Sequence, residues 1–538
     1  MVEYGKIKEV TEDMGMLKSI SLENYKCFKD ETTIDIAPLT VLCGVNSSGK
    51  SSILKSLLML KQTAEGKLSE PLLLLSGDLV DCGTFDSVIN SNTEKDKKTF
   101  FVRNKFEINN HKLFSTGTFI KRQDAKEFNE LEKIYACINN QTIVRFVFYT
   151  EIEVERCIDS ENEFSPYLSN NRIKSYKIII NVEGDDGLIQ ECNGNITFNF
   201  IDDFDSNNEI KEPHRLSWNN IPYLYKKRKK NYNQNEQNLK FGYFNNYKCS
   251  CTFNGLAISN VFAYDMKPYI KNVIPNILAI TRIISNQYNG INYIAPLRNT
   301  PERTYLINRN VDSVGINGEN APILLAKYKK QVIITDMFCP WTNRLELDEN
   351  GYVKEKFEKI IQQWLDYFEL GELDIFGDKN GTVSIELNKH NIVDVGFGAS
   401  QILPIIVQGI LMDKEQTLIV EQPEIHLHPK MELQMADFLV HLANTGRNIV
   451  IETHSDHIKT RLIRRIIEDD SRKLQDKINI YFITQRELGV SKSIPIIIND
   501  EYGIEDSPEG FFDQAAKEQL YLMKSGLLKR EKIRERMI

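Results

Sequence analysis

The run LTVLCGVNSSGKSSILKSLLMLKQ, at residues 39–62, carries a motif with a specific structural requirement. Leu39 to Cys43 is a short apolar run typical of a β-strand, and apolar residues recur at helical spacing from Ile53 to Leu60. Between them, Gly44 to Ser51 matches the phosphate-binding P-loop pattern GxxxxGK[ST]. Because the pattern lies between a strand and a helix, as its mechanism requires, the sequence predicts a nucleotide-binding P-loop.

Each part of this motif has a predicted role in holding phosphate. The glycines let the backbone curl so that its N–H groups point into one concavity, and the helix N-terminus adds partial positive charge. Lys50 is expected to reach the β- and γ-phosphates of ATP or GTP, and the Ser51 hydroxyl is expected to bind Mg²⁺. The predicted nucleotide-binding residues here are Gly44, Asn46, Ser47, Ser48, Gly49, Lys50, Ser51 and Ser52.

The composition limits the classes to which the chain can belong. Its 538 residues predict roughly two or three domains, and a hydrophobic fraction of 41% is enough for large cores. The formal charge of −8 gives no overall signal for nucleic acid, so any such contact needs a local basic patch. No apolar run has the length of a transmembrane helix, and residues 1–16 are too charged for a signal peptide. We therefore expect a cytoplasmic protein without a membrane partner.

The nine cysteines show no disulfide framework. Cys249 and Cys251 form a close pair, but no second pair follows at the spacing of a zinc site. This pattern favours free thiols in a reducing compartment over a metal site.

The regions around the P-loop are rich in β-strand patterns. Alternating runs at residues 17–28 and 32–36 predict an antiparallel β-layer before the P-loop strand. From residue 100 to 200, β-branched and aromatic runs alternate with Asn, Asp and Gly turns, which is typical of hairpins. Residues 202–260 are polar, and we expect them to be irregular.

Two basic stretches have more than one interpretation. The run from Lys226 to Lys230 lies among tyrosines and phenylalanines, which could form a DNA or RNA surface. A charge run is more often a solvated loop or helix face, and we favour that interpretation. Arg298 and Arg303 follow a predicted strand, and they either pair with surface carboxylates or contact a phosphate or an acidic partner.

Three further motifs lie in the second half of the chain. The Gly-rich turn DVGFGASQ, at residues 394–401, leads into an apolar helix for which Ser400 is a predicted N-cap. A buried-type strand at residues 417–420 ends in Glu421, followed by Gln422, Pro423 and Glu424. Another apolar strand, at residues 448–452, is followed by Thr453, His454 and Ser455.

The order of these elements resembles the ABC-type ATPase head of SMC proteins, RecF-like proteins and OLD-family ATPases. The resemblance implies ATP and Mg²⁺ as cofactors. It also implies an α/β fold in which a mixed sheet with an antiparallel β-layer is assembled from both chain ends around a β-rich and irregular insertion. Glu421 would hold the water shell of Mg²⁺, and His454 would be a switch residue near the γ-phosphate. Gly398 and Ser400 would complete the site of a second subunit in an ATP-clamped homodimer or higher oligomer.

The expected domain organisation follows from this resemblance. We predict a polar leader at 1–15, the N-terminal half of the ATPase head at 16–100, an insertion that binds partners at 101–290, the C-terminal half of the head at 291–490 and a small C-terminal segment at 491–538.

A narrower likeness concerns the strings VGFGASQILPI, EQPEIHLHP and ETHSDHIKTRLIRR. They look like those of a prokaryotic AAA/ABC-type ATPase family whose C-terminus carries a small domain of unknown function. Members of this family sit in antiviral systems beside a nuclease, for example Septu and Septu-like retrons. This resemblance implies a separate effector partner, such as an HNH-type nuclease.

One position departs from the ABC pattern. The residue after the Mg²⁺ acid is usually a glutamate that serves as general base, and here it is Gln422. An amide can orient a water molecule but cannot take its proton, and loss of a general base typically costs a factor of about 10²–10⁴ in rate. Glu424 is either a substitute or a turn residue. We therefore predict slow hydrolysis, with Gln422, Glu424 and His454 as the candidate catalytic residues.

The leading hypothesis is a slow regulatory ATPase subunit of an antiviral defence complex. It is not expected to be a nuclease, because its histidines after residue 425 do not share one face and no Toprim-like acidic pattern follows them. The alternative is a stand-alone DNA-repair or DNA-binding ATPase of the SMC or RecF type. The SMC version would need a long heptad arm, which the sequence lacks. An ABC transporter subunit is disfavoured by the long insertion.

Overall fold

A computed structural model describes most of the chain between residues 16 and 511. The described residues are 16–93, 99–109, 143–156, 171–184, 187–188, 193–200, 214–227, 236–262, 268–307, 311–336, 352–377, 381–414, 416–469, 473–487, 489–499, 503–504, 508–511 and 524.

The strands and helices of these residues are numbered in chain order. The strands are β1 (Met16–Glu23), β2 (Thr32–Asp35), β3 (Leu39–Gly44), β4 (Thr99–Asn109), β5 (Ile143–Arg156), β6 (Asn171–Gly184), β7 (Gly187–Leu188), β8 (Gly194–Phe200), β9 (His214–Lys227), β10 (Glu236–Asn254), β11 (Ala257–Phe262), β12 (Ile291–Ile294), β13 (Tyr305–Leu306), β14 (Val332–Asp336), β15 (Tyr352–Lys356), β16 (Leu373–Gly377), β17 (Thr382–Leu387), β18 (His390–Asn391), β19 (Thr417–Glu421), β20 (Asn448–Glu452), β21 (Ile478–Glu487), β22 (Val490–Pro495), β23 (Ile498–Asn499) and β24 (Gly503–Ile504). The helices are α1 (Lys50–Glu65), α2 (Phe85–Val88), α3 (Pro268–Asn289), α4 (Ala321–Tyr328), α5 (Phe357–Tyr367), α6 (Phe397–Leu411), α7 (Pro429–Asn444) and α8 (Asp456–Ile467).

The P-loop strand lies inside a sheet made mostly of C-terminal strands. The order of this sheet is β12-β19-β20-β3-β21-β22. Its first five strands are parallel, and β22 is antiparallel to β21. Although β3 comes from the N-terminal part of the chain, its neighbours on both sides come from the C-terminal part. This pairing places the ends of β3, β19 and β20 at one edge of the sheet.

Both faces of this sheet are covered, which explains why its strands are apolar almost throughout. Side chains alternate between the two faces of a strand. Leu42 therefore belongs to a core shared with α1, α3 and the large antiparallel sheet, whereas Val41 and Cys43 belong to a second core with helices α4 to α8.

The large antiparallel sheet joins the start of the chain to the region up to residue 262. In the described ranges, ten strands form it, in the order β11-β10-β9-β8-β6-β5-β4-β1-β2, with β7 beside β6. The first strand pairs directly with β4, so that Ile20 lies opposite Asn104. Smaller sheets pair β13, β16, β17 and β18, β14 with β15, and β23 with β24.

The predicted α/β fold, built from both chain ends around a P-loop and an antiparallel layer, is confirmed. The strands between residues 101 and 262 extend the sheet that begins with β1 and β2. One detail differs from the prediction. Much of residues 202–260, predicted to be irregular, forms β9, β10 and β11. The domain boundaries themselves stay a prediction, and Arg228, Lys229 and Lys230 of the basic run lie outside the described residues.

Candidate nucleotide-binding site

The backbone of the P-loop has a shape that requires glycine at two positions. Gly44 has a φ of 137° and Gly49 a φ of 108°, both in the region that side chains disfavour. A Cβ atom on Gly44 would lie 2.0 Å from the carbonyl oxygen of Ile483, and one on Gly49 would lie 2.3 Å from Cys27 Sγ. The loop thus packs against β21 and the β1–β2 connection, and α1 begins directly after it at Lys50.

Lys50 is buried at the base of the loop. Its Nζ donates hydrogen bonds to the carbonyl oxygens of Gly44 (3.1 Å) and Val45 (2.8 Å), and it lies 4.0 Å from Glu452 Oε1. Burial lowers the pKa of Lys50, and the charge of Glu452 opposes this shift. Phosphate oxygens can thus replace the two carbonyl oxygens as hydrogen-bond acceptors of the Lys50 ammonium group.

Two carboxylates lie beside Ser51 at the sheet edge. Ser51 Oγ donates a 2.8 Å hydrogen bond to Glu452 Oε2. Glu452 and Glu421 occupy paired positions on the parallel strands β20 and β19, and Tyr293 donates a 2.9 Å hydrogen bond to Glu421 Oε1. Burial raises the pKa of Glu421 and that of Glu452, and the charge of Glu421 adds to the shift of Glu452.

These groups fit a Mg²⁺ ion. Mg²⁺ prefers oxygen ligands and is usually held by one or two carboxylates together with phosphate oxygens and water. Glu421, Glu452 and the Ser51 hydroxyl supply such oxygens next to the phosphate loop. Within the described ranges no group of three or more His, Cys, Asp or Glu side chains could hold a metal, so a site here relies on the hydroxyl and the nucleotide as well.

The loop after β19 brings Glu424 to the end of β20. Glu424 accepts hydrogen bonds from Thr453 Oγ1 (2.9 Å) and from the backbone N–H of His454 (2.7 Å). Burial raises the pKa of Glu424, and these hydrogen bonds oppose the shift. Gln422 has a φ of 46°, and its N–H donates to the carbonyl oxygen of Glu452 at 2.7 Å. The Glu424 side chain is therefore tied to the segment that contains the predicted switch residue, and its role as a substitute base stays a prediction.

His454 is exposed at the same sheet edge. Partial burial of its ring lowers its pKa, and the positive charges of Lys50 and Lys459 add to this shift. The neutral imidazole is thus favoured near pH 7, where it can donate to or accept from a phosphate or water.

The two arginines after β12 have different surroundings. Arg303 is exposed and forms a bidentate pair with Asp394, at 2.7 and 2.9 Å, as the surface-pair interpretation predicted. Arg298 is buried, and one of its terminal nitrogens donates to the carbonyl oxygens of Glu421 (3.0 Å) and Gln422 (3.4 Å). Burial lowers the pKa of Arg298 to about 10. Arg298 therefore stabilises the backbone at the end of β19 through these hydrogen bonds, a role that neither interpretation predicted.

Gly398 and Ser400 lie in the first turn of α6, and the nearest neighbours of Gly398 belong to the loop after β19 and to α7, not to the P-loop of the same chain. The nearest atoms to a Cβ on Gly398 would come from the loop at His426 and Leu427 and from Met431. The prediction that Ser400 is the N-cap is wrong, because the cap is Gly396 and the Ser400 hydroxyl donates to the Phe397 carbonyl at 2.7 Å. Their role at a partner's nucleotide stays a prediction.

A buried ionic cluster joins the helices that follow the two site loops. Asp437 of α7 accepts hydrogen bonds from Arg465 Nε (2.8 Å) and from a terminal nitrogen of Arg461 (2.7 Å) on α8, and from the hydroxyl of Tyr367. Burial alone would raise the pKa of Asp437, but the hydrogen bonds outweigh it and the pKa is lowered. The cluster fixes α8, which begins two residues after His454, against α7.

The sequence prediction missed Glu452, Tyr293 and Arg298 as parts of the site. For Glu452 a signal was present, because it ends a buried strand as Glu421 does. The roles of Tyr293 and Arg298 depend on the pairing of β12 with β19, which could not be predicted from the sequence.

The chain is similar to one known family and to several solved structures. A sequence model of the family described as AAA ATPase domain matches residues 16–458. The SMC head domain from Thermotoga maritima is 10% identical, with a TM-score of 0.34 and coverage of 90% of this chain and 100% of that chain. An Smc head bound to the C-winged-helix domain of ScpA is 11% identical, with a TM-score of 0.38 and coverage of 90% and 99%. An Smc head with an extended coiled coil, bound to the C-terminal domain of ScpA derived from Pyrococcus furiosus, is 10% identical, with a TM-score of 0.36 and coverage of 90% and 96%. No curated protein matches the chain.

None of the described helices is both long and apolar enough to cross a membrane.

Proposed function

Because this chain belongs to the AAA ATPase domain family, we propose that it binds ATP with Mg²⁺ and hydrolyses it slowly. The observation that supports this most is the group formed by Lys50, Ser51, Glu421 and Glu452 at the edge of the P-loop sheet. Lys50 would exchange its two carbonyl partners for phosphate oxygens. Ser51 and Glu421 would hold Mg²⁺, which neutralises phosphate charge when bound.

The proposed slow rate of ATP hydrolysis depends on the residues that can orient and deprotonate the attacking water molecule. Gln422 can orient it but not deprotonate it. Glu424 is a carboxylate with a raised pKa, which suits a base, but both its oxygens are engaged by Thr453 and His454. We propose that Glu424 takes the proton only when this contact loosens, and that His454 donates a hydrogen bond to the γ-phosphate.

Three substitutions test this division of roles in a steady-state phosphate-release assay. Gln422→Glu places a carboxylate at the usual position of the base and should raise turnover, by up to about 10²–10⁴-fold. Glu424→Gln should lower it while leaving ATP binding intact, and Lys50→Ala should abolish both. Wild-type turnover as fast as that of the Gln422→Glu variant would contradict the slow-switch proposal.

We also propose that ATP holds two copies together, with Gly398 and Ser400 of one facing the nucleotide of the other. Exposed apolar side chains at both predicted contact regions support this: Val45 in the P-loop and Phe397 at the start of α6. Sedimentation of the Phe397→Asp variant should show no ATP-dependent dimer. Phe376→Asp, at an exposed phenylalanine in β16, is the matched control and should dimerise as the wild type does. Equal dimerisation of both variants would overturn this arrangement.

In the cell, we propose that the chain is a cytoplasmic regulatory subunit of an antiviral defence complex, which controls a separate effector such as an HNH-type nuclease. The resemblance carried by the strings from residue 395 onward supports this proposal. Co-purification of the tagged chain from its native host tests it, together with phage challenge of a deletion strain. A chain that purifies alone, binds DNA in a salt-sensitive way and gives no phage phenotype would instead be a DNA-maintenance ATPase.

A further inference from the structure

We propose that Glu452 is a further carboxylate of the Mg²⁺ site, where it holds the Ser51 hydroxyl as a donor and shares the metal's ligand shell with Glu421. This inference rests on the proposed ATP-binding function. It extends the predicted metal set of Ser51 and Glu421 by a residue from the strand that separates β3 from β19.

The first argument concerns the orientation of the Ser51 hydroxyl. A hydroxyl has one proton to donate and two lone pairs to offer. Because Ser51 Oγ donates its proton to Glu452 Oε2 at 2.8 Å, only lone pairs remain for another partner. A cation is the partner that needs such lone pairs. Groups that orient a metal ligand in this way typically contribute a factor of about 10–100 to metal affinity.

The second argument concerns charge. Glu421 and Glu452 are both buried and occupy paired positions on neighbouring parallel strands, so their negative charges repel in a poorly solvated place. Lys50 lies 4.0 Å from Glu452 and compensates part of this charge. When Lys50 turns to the phosphates of ATP, its charge is shared with them. A divalent cation beside both carboxylates would then compensate the negative charges of Glu421 and Glu452.

The test measures binding of a fluorescent ATP analogue to the full chain while Mg²⁺ is titrated. Glu452→Gln should raise the half-saturating Mg²⁺ concentration by about 10–100-fold. In EDTA, the same variant should bind the analogue as tightly as the wild type or more tightly, because a negative charge near the phosphates is gone. The variant should therefore lose affinity only in the arm that depends on Mg²⁺, which a purely structural role of Glu452 would not produce. Glu65→Gln, on the solvent side of α1, is the matched control and should change neither quantity.

A further variant separates action through Ser51 from independent action. The double variant Ser51→Ala/Glu452→Gln should require more Mg²⁺ than Ser51→Ala, since Glu452 itself belongs to the proposed ligand shell; equal requirements would show that Glu452 acts only through Ser51 and would overturn its place in that shell. If Glu452→Gln does not fold, Glu452→Asp keeps the charge and should give a smaller shift in the same direction.

The proposal is overturned if Glu452→Gln leaves the half-saturating Mg²⁺ concentration within twofold of the wild-type value. It is also overturned if that variant weakens binding equally with Mg²⁺ and in EDTA. A wild-type chain that does not bind the analogue under either condition would refute the proposed ATP-binding function itself, which is a different result from both of these.

Discussion

The buried cluster around Asp437 gives a sharp prediction about how helix α8 is held against α7. Asp437→Asn keeps the size of the side chain but removes its charge. The guanidinium groups of Arg461 and Arg465, whose side chains are only 17% and 8% exposed, then lose their buried counter-ion. Breaking a buried ion pair by removal of one partner typically costs about 3–5 kcal/mol.

Glu468, the residue that follows the last turn of α8, provides the matched control for Asp437. It pairs with Arg464 and Arg465, but its side chain is 38% exposed. Exposed pairs are typically worth about 0–1 kcal/mol. Glu468→Gln should therefore have a much smaller effect than Asp437→Asn.

Native-state hydrogen exchange measures the effect locally, which suits a chain too large for two-state unfolding. For Asp437→Asn, the protection of amides in α7 and α8 should fall by roughly 150-fold or more at pH 7, since about 1.4 kcal/mol corresponds to a factor of ten. Because folding lowers the pKa of Asp437, its contribution is fully present above the unfolded value of about 3.9 and is lost as the pH falls through the folded value. The difference from the wild type should thus shrink only below about pH 4. Equal protection losses for the two variants at pH 7 would refute the reasoning.

Two further predictions concern packing. Gly49→Ala should abolish nucleotide binding in an equilibrium titration, since Gly49 has a φ of 108° and the added Cβ would collide with Cys27 Sγ. Gly381 has a φ of 77°, but an added Cβ there would meet nothing within 4 Å. Gly381→Ala should therefore lower stability by only about 1–2 kcal/mol and leave nucleotide binding intact. Phe511→Ala removes a buried ring at the C-terminal segment and should lower local stability by about 3–5 kcal/mol, read from native-state hydrogen exchange. Phe376→Ala, at a half-exposed ring, should stay within about 0.5 kcal/mol, and similar losses of protection for both variants would contradict this.

The local parts of the site could be predicted because short-range patterns specify them. The P-loop glycines, Lys50 and Ser51 follow from a motif between an apolar run and a helical pattern. The end of β19 at Glu421 follows from a buried run that stops at a carboxylate. In each case the physical requirement lies within a few residues of the chain.

The parts that could not be predicted depend on contacts between distant segments. Glu452 meets Ser51 only because β20 pairs with β3, and Arg298 meets the end of β19 only because β12 is its neighbour. The strands in residues 202–260 carry many polar side chains, since one face of their sheet faces away from the core. Their strand character therefore depends on pairing rather than on composition.

The position of β3 between β20 and β21 has a consequence for biosynthesis. The P-loop strand leaves the ribosome roughly 430 residues before its partner β21. At typical rates of synthesis, about 5–20 residues per second, this interval lasts roughly 20–90 s. During that time the antiparallel sheet can form from its own consecutive strands, while both edges of β3 lack their final partners. The complete site can therefore form only after β20 and β21 have been synthesised, and a truncated product that ends before β20 carries the P-loop sequence without the site.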